Sequence, residues 1–214
     1  MRILIIGATG RLGTQLVQLA LEQGHEVIAF APNIHTLDIE DPKLVIAQGD
    51  VMNKSRLNWV FSVYRPEAVV SVFGIRQFRG TITLLSEGTR NIIEAMETHG
   101  LNRFVTITGA GILQESEQAL IMDSLSFPPN LQNVSLDHRR LFEALRESTL
   151  DWTIVSPAFM KFGEPTGQYI VRADFYPQRA QNEVTVSDVA DFIVKELDTN
   201  EYIGHRVGIA APIA

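Results

Sequence analysis

Apolar positions along the chain fall into two alternating periods, and the alternation predicts the fold. Residues Arg2 to Ile6 carry a continuous apolar run of the kind found in a strand covered on both faces. A glycine turn follows. Leu12, Leu16, Leu19 and Ala20 then recur at helical spacing as far as Gly24, a residue suited to the left-handed conformation that ends a helix. Strand-like runs return at Glu26 to Ala31, Lys43 to Ala47, Ala68 to Phe73, Arg103 to Thr108 and Trp152 to Val155. Helical patterns occupy Asn53 to Val63, Thr81 to His99, Leu136 to Glu147 and Asp188 to Leu197. Strands alternating with helices imply right-handed crossovers and a parallel sheet. The predicted class is therefore a doubly wound α/β fold, one domain over residues 1–214.

Two stretches break the alternation. Gly111 to Gln132 contains Pro128-Pro129 and little periodicity, and Phe162 to Arg179 is rich in Gly and Pro. Long connections inside a compact domain tend to be lids or binding loops. Both follow strands, at the end of an open sheet where ligands bind, so both are expected to frame an acceptor site.

Composition narrows the partners. A chain of 214 residues can bury about 70% of its unfolded surface around one core. The formal net charge is −7, and no Lys/Arg run exceeds Arg139-Arg140, which argues against nucleic acid. The absence of cysteine excludes disulfides and thiolate metal sites. The five histidines, His25, His35, His99, His138 and His205, lack metal-ligand spacing, so no metal is expected. The opening apolar run is too short for a signal or a membrane span, giving the expectation of a cytoplasmic protein with no membrane partner.

The candidate chemistry begins at Gly7-Ala8-Thr9-Gly10-Arg11-Leu12-Gly13, a G-x-x-G-x-x-G turn between a buried strand and an amphipathic helix. Gly7 permits the tight turn, Gly10 lets backbone approach a pyrophosphate, and Gly13 lets helix and strand pack closely. The same glycines also serve a plain tight connection, but the flanking strand and helix favour phosphate binding. At the end of the second strand, Phe30-Ala31-Pro32-Asn33 carries neither the acid that selects NAD nor the Arg that selects NADP. Asn33 or His35 could meet a ribose, although a loop Asn is also a turn former. Asp50 and Val51 follow the third strand, placed to flank an adenine, with Asp50 equally suited to cap the next helix. Phe73, Gly74 and Arg76 end the fourth strand, where Arg76 could meet a phosphate or an anionic substrate.

With GATGRLG, GDV, SEGTRNIIEAMETHG, FVTITGAG and LRESTLDWTIVSP in register, the chain resembles the atypical short-chain dehydrogenases. Within them it is most similar to flavin reductases of the biliverdin reductase B type and their bacterial NADH-flavin-reductase-like relatives, from Ile3 to about Gly208. The resemblance implies a Rossmann-type fold binding NADPH, with NADH as the alternative, and hydride transfer to a flavin or tetrapyrrole-like acceptor in a shallow pocket. It implies that Thr9, Gly10, Arg11 and Leu12 hold the pyrophosphate and that Asp50 and Val51 flank the adenine. Phe73, Gly74 and Arg76 then lie beside ribose and phosphates, and Thr108, Gly109, Ala110, Pro157 and Phe159 face the nicotinamide. A monomer or weak homo-oligomer is expected.

The chain also departs from that pattern. No Tyr-x-x-x-Lys pair exists, and by spacing Val134 takes the Tyr slot and His138 the Lys slot. The family's serine after the fifth strand and histidine after the sixth are replaced by Gly109 and Phe159. Its 2′-phosphate arginines are replaced by Pro32 and Thr36, which leaves the choice between NADPH and NADH open. His138 and Thr108 are the remaining catalytic candidates, although the helical stretch holding His138 could simply be solvated. Phe159 could stack on an acceptor ring or fill the core. Phe78 and Ala110 are further candidates for the acceptor pocket. Reduction of a flavin requires chiefly alignment, whereas a carbonyl needs an acid beside the developing alkoxide. Flavin-type acceptors are thus favoured, with a non-catalytic NAD(P)-binding redox sensor or assembly factor as the alternative.

Overall fold

The computed structural model describes residues 1–75 and 80–213. The chain folds as a single α/β domain with a Rossmann-like, mostly parallel sheet. Its first half runs β1 (Arg2–Ile6), α1 (Arg11–Glu22), β2 (Glu26–Ala31), β3 (Leu44–Gln48), α2 (Lys54–Tyr64), β4 (Ala68–Ser71) and α3 (Leu84–Thr98). The second half adds β5 (Arg103–Ile107), α4 (Gln132–Glu147), β6 (Asp151–Pro157), β7 (Phe159–Lys161), β8 (Ile170–Ala173), β9 (Glu183–Thr185), α5 (Val186–Thr199) and β10 (His205–Ala210). The main sheet has the order β3-β2-β1-β4-β5-β6-β10-β8, and β7 pairs with β9 apart from it.

The central strand shows why a continuous apolar run was required. Ile3 and Ile5 pack into the layer under α1 and α5, whereas Leu4 and Ile6 pack into the layer under α2, α3 and α4. All four are essentially sealed from solvent, each burial worth about 1.5–3 kcal/mol, so a polar residue on either face would leave a hole in one layer. Among the described residues, no helix is long and apolar enough to cross a membrane.

The sequence pattern located β1 to β6 and all five helices, with differences that have physical causes. The sheet is not purely parallel, because β8 runs antiparallel to β10. β7 and β9 are three residues each, too short to carry a period, and β10 opens with His205 and Arg206, which mask its apolar run. The stretch expected to be unstructured from Gly111 to Gln132 holds three short 3-10 turns, and the stretch from Phe162 to Arg179 contains β8. α3 starts at Leu84, three residues later than its pattern. Its first turn is held from outside by Asp137, whose Oδ2 accepts the Leu85 N–H at 2.9 Å and whose Oδ1 accepts the Ser86 hydroxyl at 2.5 Å. α4 begins one turn early, at Gln132, because the turn at Pro129–Leu131 feeds directly into it.

Candidate functional site

The glycine turn sits where the first strand gives way to the first helix. Gly7 donates its N–H to the Phe30 carbonyl at 2.9 Å, and its φ of +85° suits glycine. A Cβ there would lie 2.6 Å from the Phe73 nitrogen, and one at Gly13 would lie 2.8 Å from the Ala8 Cα. Both glycines thus allow a close approach of backbone to backbone that a side chain would force apart. Gly10 is the N-cap of α1 and supplies no side-chain cap, and the first turn holds no acidic residue. The amides of Thr9, Arg11, Leu12 and Gly13 find no protein acceptor among the described residues. Two other helix starts are capped by side chains: Asn53 accepts from the Arg56 N–H at 2.9 Å, and Thr185 from the Asp188 N–H at 3.0 Å. An uncapped helix start with converging N–H groups is a site for an anion.

A cavity of about 670 Å³ opens in front of this turn, lined by Gly10, Arg11, Leu12, Phe73, Gly74, Thr108, Gly109, Val134 and His138, among others. The Leu12 side chain belongs to the core, so its contribution to the wall is chiefly backbone. The Arg11 guanidinium is exposed and lies 5.1 Å from the centre of the Phe162 ring. Arg76 and Phe78 fall outside the described residues.

Asn33, Asp50 and Val51 lie apart from this lining. Asn33 is a turn former here, its Oδ1 accepting the His35 N–H at 3.2 Å. Asp50 is not the cap of α2, a role taken by Asn53; its Oδ1 instead accepts the Met52 N–H at 2.9 Å. Val51 is buried, and the bare Cα of Gly88 on α3 admits both Val51 and the Phe73 ring, since a Cβ there would lie within 2.9 Å of each.

Beyond Gly109 lies a second, largely apolar cavity of about 600 Å³, lined by Ala110, Ile121, Phe127, Pro157, Phe159 and others. Phe159 does not fill the core: it is 70% exposed at this rim, its N–H held by the Asn182 carbonyl at 3.2 Å. Tyr176 and Asn182 also face this space, and sequence reasoning missed both. Tyr176 lies in a stretch without periodicity and had been tested only for a Lys four residues on. Burial pushes its phenol above the ordinary tyrosine range, and its hydroxyl donates to the Gln181 carbonyl at 2.8 Å.

The two cavities share Gly109, Val134 and His138. The Thr108 hydroxyl is committed beneath this seam, 2.8 Å from the Ser156 hydroxyl. His138 is not solvated: it is partly buried, and its Nδ1 accepts the Gly109 N–H at 3.2 Å. Burial pushes the imidazole down to about 4, against the smaller upward pull of the Asp137 carboxylate, so the ring is neutral at physiological pH.

Residues 7–200 match the model of a family described as NAD(P)H-binding. The chain belongs to that family. This NAD(P)H-binding protein is 29% identical over 212 residues to YwnB of Bacillus subtilis (strain 168), covering 96% of this chain and 95% of that one. It is 26% identical over 215 residues to the photosystem II assembly factor Ycf39 of Synechocystis, covering 93% of this chain and 60% of Ycf39. Among solved structures, one from Streptococcus pneumoniae designated an NADH-flavin reductase superposes with a TM-score of 0.81 at 26% identity, covering 99% of both chains. One from Bacteroides thetaiotaomicron designated an epimerase superposes with a TM-score of 0.86 at 26% identity, covering 100% of this chain and 98% of that one.

Proposed function

We propose that this protein is an NAD(P)H-dependent reductase of a flavin or a similarly planar acceptor. The observation that carries the reading is the meeting of two cavities at Gly109, Val134 and His138, one beginning at an uncapped helix start and the other walled by apolar side chains. The residues present fit a dinucleotide: the free amides of Arg11, Leu12 and Gly13 would hold its pyrophosphate, with Thr9 and Gly10 completing the turn. Val51 and Phe73 would flank the adenine beside Asp50, Asn33 would face the ribose, and Gly74 would allow close approach. Thr108, Gly109 and Pro157 would bound the nicotinamide, and Ala110 and Phe159 the acceptor.

When bound, the reduced nicotinamide would supply a hydride to the acceptor and leave as NAD(P)⁺, the balancing proton coming from solvent. The protein's share is alignment, exclusion of water by the apolar wall, and neutral polar contacts at the seam. Carbonyl reduction is disfavoured, since Val134 and the neutral His138 replace the acid that an alkoxide needs.

The similarity to Ycf39 and the missing acid favour a second reading, a non-catalytic NAD(P)-binding assembly factor or redox sensor. Mixing the protein with NADPH or NADH and FMN, and following the nicotinamide absorbance, separates the two. Turnover well above that of Gly10→Asp supports the reductase. Dinucleotide binding with no oxidation above that control rejects it.

A further inference from the structure

The seam between the cavities holds a tautomerically fixed imidazole, and its role, which rests on the reductase reading, goes beyond lining a wall. A backbone N–H cannot accept a hydrogen bond, so the 3.2 Å contact from Gly109 requires an unprotonated Nδ1 on His138. The neutral ring then carries its proton on Nε2. Among the described residues, Nε2 has no hydrogen-bond partner, and the ring faces both cavities.

The neighbouring groups leave that proton uncontested. The Asp137 carboxylate is fully buried and turned to the first turn of α3, taking the Leu85 N–H and the Ser86 hydroxyl. The Thr108 and Ser156 hydroxyls bond each other. Among the described residues, the other titratable groups lining these cavities are Arg11, confined to the first, and Tyr176, confined to the second and committed to the Gln181 carbonyl.

We propose that the Nε2–H of His138 is a fixed hydrogen-bond donor to the bound acceptor, aimed at the oxygen or nitrogen on which negative charge collects as hydride arrives. It stabilises that charge without transferring its proton, because donors preorganised in a water-poor site act by electrostatics alone. The ligand class follows: conjugated rings with a carbonyl or imine edge in electronic contact with the hydride-accepting atom, as in flavins. Burial, which keeps the ring neutral, supports a donor role over that of an acid.

Long-range ¹⁵N–¹H spectra of the imidazole test the assignment directly. The expected result is a protonated Nε2 and a bare Nδ1 from pH 5.5 to 8, with the Nε2 resonance shifting when FMN is added in the presence of NAD⁺. In turnover, His138→Gln, which keeps an N–H, should stay within about tenfold of wild type. His138→Leu should lose about 100-fold in kcat with the KM for the dinucleotide unchanged. An Nδ1–H tautomer, an Nε2 resonance indifferent to saturating FMN, or a folded Leu variant with wild-type kcat would overturn the proposal. If wild type binds dinucleotide but reduces no FMN, the reductase reading fails by itself, and the Nε2 response to FMN still decides the donor assignment.

Discussion

Replacing Gly13 by Ala sets two effects against each other, and the geometry decides between them. Within a helix, Ala is favoured over Gly by about 1 kcal/mol, so propensity alone predicts a more stable protein. The added Cβ, however, would lie 2.8 Å from the Ala8 Cα and 2.9 Å from the Ala8 carbonyl carbon, and closer still to the Gly7 oxygen. Carbon atoms rest at about 3.5 Å or more from one another and only slightly less from an oxygen, so the Gly7 contact is limiting and α1 must retreat from the turn by roughly 1 Å. The obstructing atoms are backbone and cannot rotate away. Overpacking of this kind costs about 1–3 kcal/mol, which cancels or exceeds the propensity gain.

On the proposed function, the same retreat would draw the Arg11, Leu12 and Gly13 amides away from a bound pyrophosphate. Each hydrogen bond to a charged group contributes about 1.5–3 kcal/mol, so losing even one weakens dinucleotide binding by about 10-fold to 150-fold. Titration of NADH and NADPH against the fluorescence of Trp59 and Trp152, alongside a melting curve, measures both effects. A Gly13→Ala protein with a raised Tm and a Kd within twofold of wild type would refute the reasoning.

Four further outcomes follow from the seam and its supports. Asp137→Ala strands the Leu85 and Ser86 N–H groups and should cost about 3 kcal/mol, read by urea unfolding, with faster hydrogen exchange at the start of α3. His138 has a folded pKa of about 4, below its ordinary 6.5, so the unfolded chain binds more protons between those values. Its stabilising contribution is present above pH 6.5 and lost as pH falls toward 4, by up to about 3 kcal/mol, and the slope should shrink in His138→Gln to what the other groups, His25 among them, contribute. Gly109→Ser places its Cβ 3.7 Å from the His138 ring in ordinary contact, so Tm should stay within about 4 °C. Gly111→Ala meets the Ser135 Oγ at 2.7 Å and should melt lower.

Of the proposed dinucleotide site, the glycine turn was legible in the sequence because its spacing is local, whereas Asn33, Asp50 and Val51 lie apart from the cavity it faces. Gly7, Gly10 and Gly13 stand in one short run between a strand and a helix; Gly13 is required by the Gly7 and Ala8 backbone within that run, whereas Gly7 is also required by the distant Phe73 backbone. The acceptor half was only partly legible because its wall is assembled from distant segments. Tyr176 and Asn182 reach it through β7, β8 and β9, whose three or four residues carry no period. The cap of α3 was not legible for the same reason: Asp137 closes the start of that helix from 51 residues away. His138 looked like one residue of a polar helical stretch, and nothing in its neighbours announced the Gly109 amide that holds it.

β10 pairs with β6 on one side and β8 on the other, and its flank anchors the strands at the acceptor rim through Ala158 N–H to Ile209 O and Ala211 N–H to Glu183 O. As the chain leaves the ribosome, β1 through β6 can assemble before any of β10 exists. The nascent protein would therefore have its glycine turn, with α1 still awaiting α5 to pack on, while its apolar chamber lacked a wall. Cotranslational supply of dinucleotide could then steady a half-built molecule, whereas an acceptor would have nowhere to rest until synthesis was almost over.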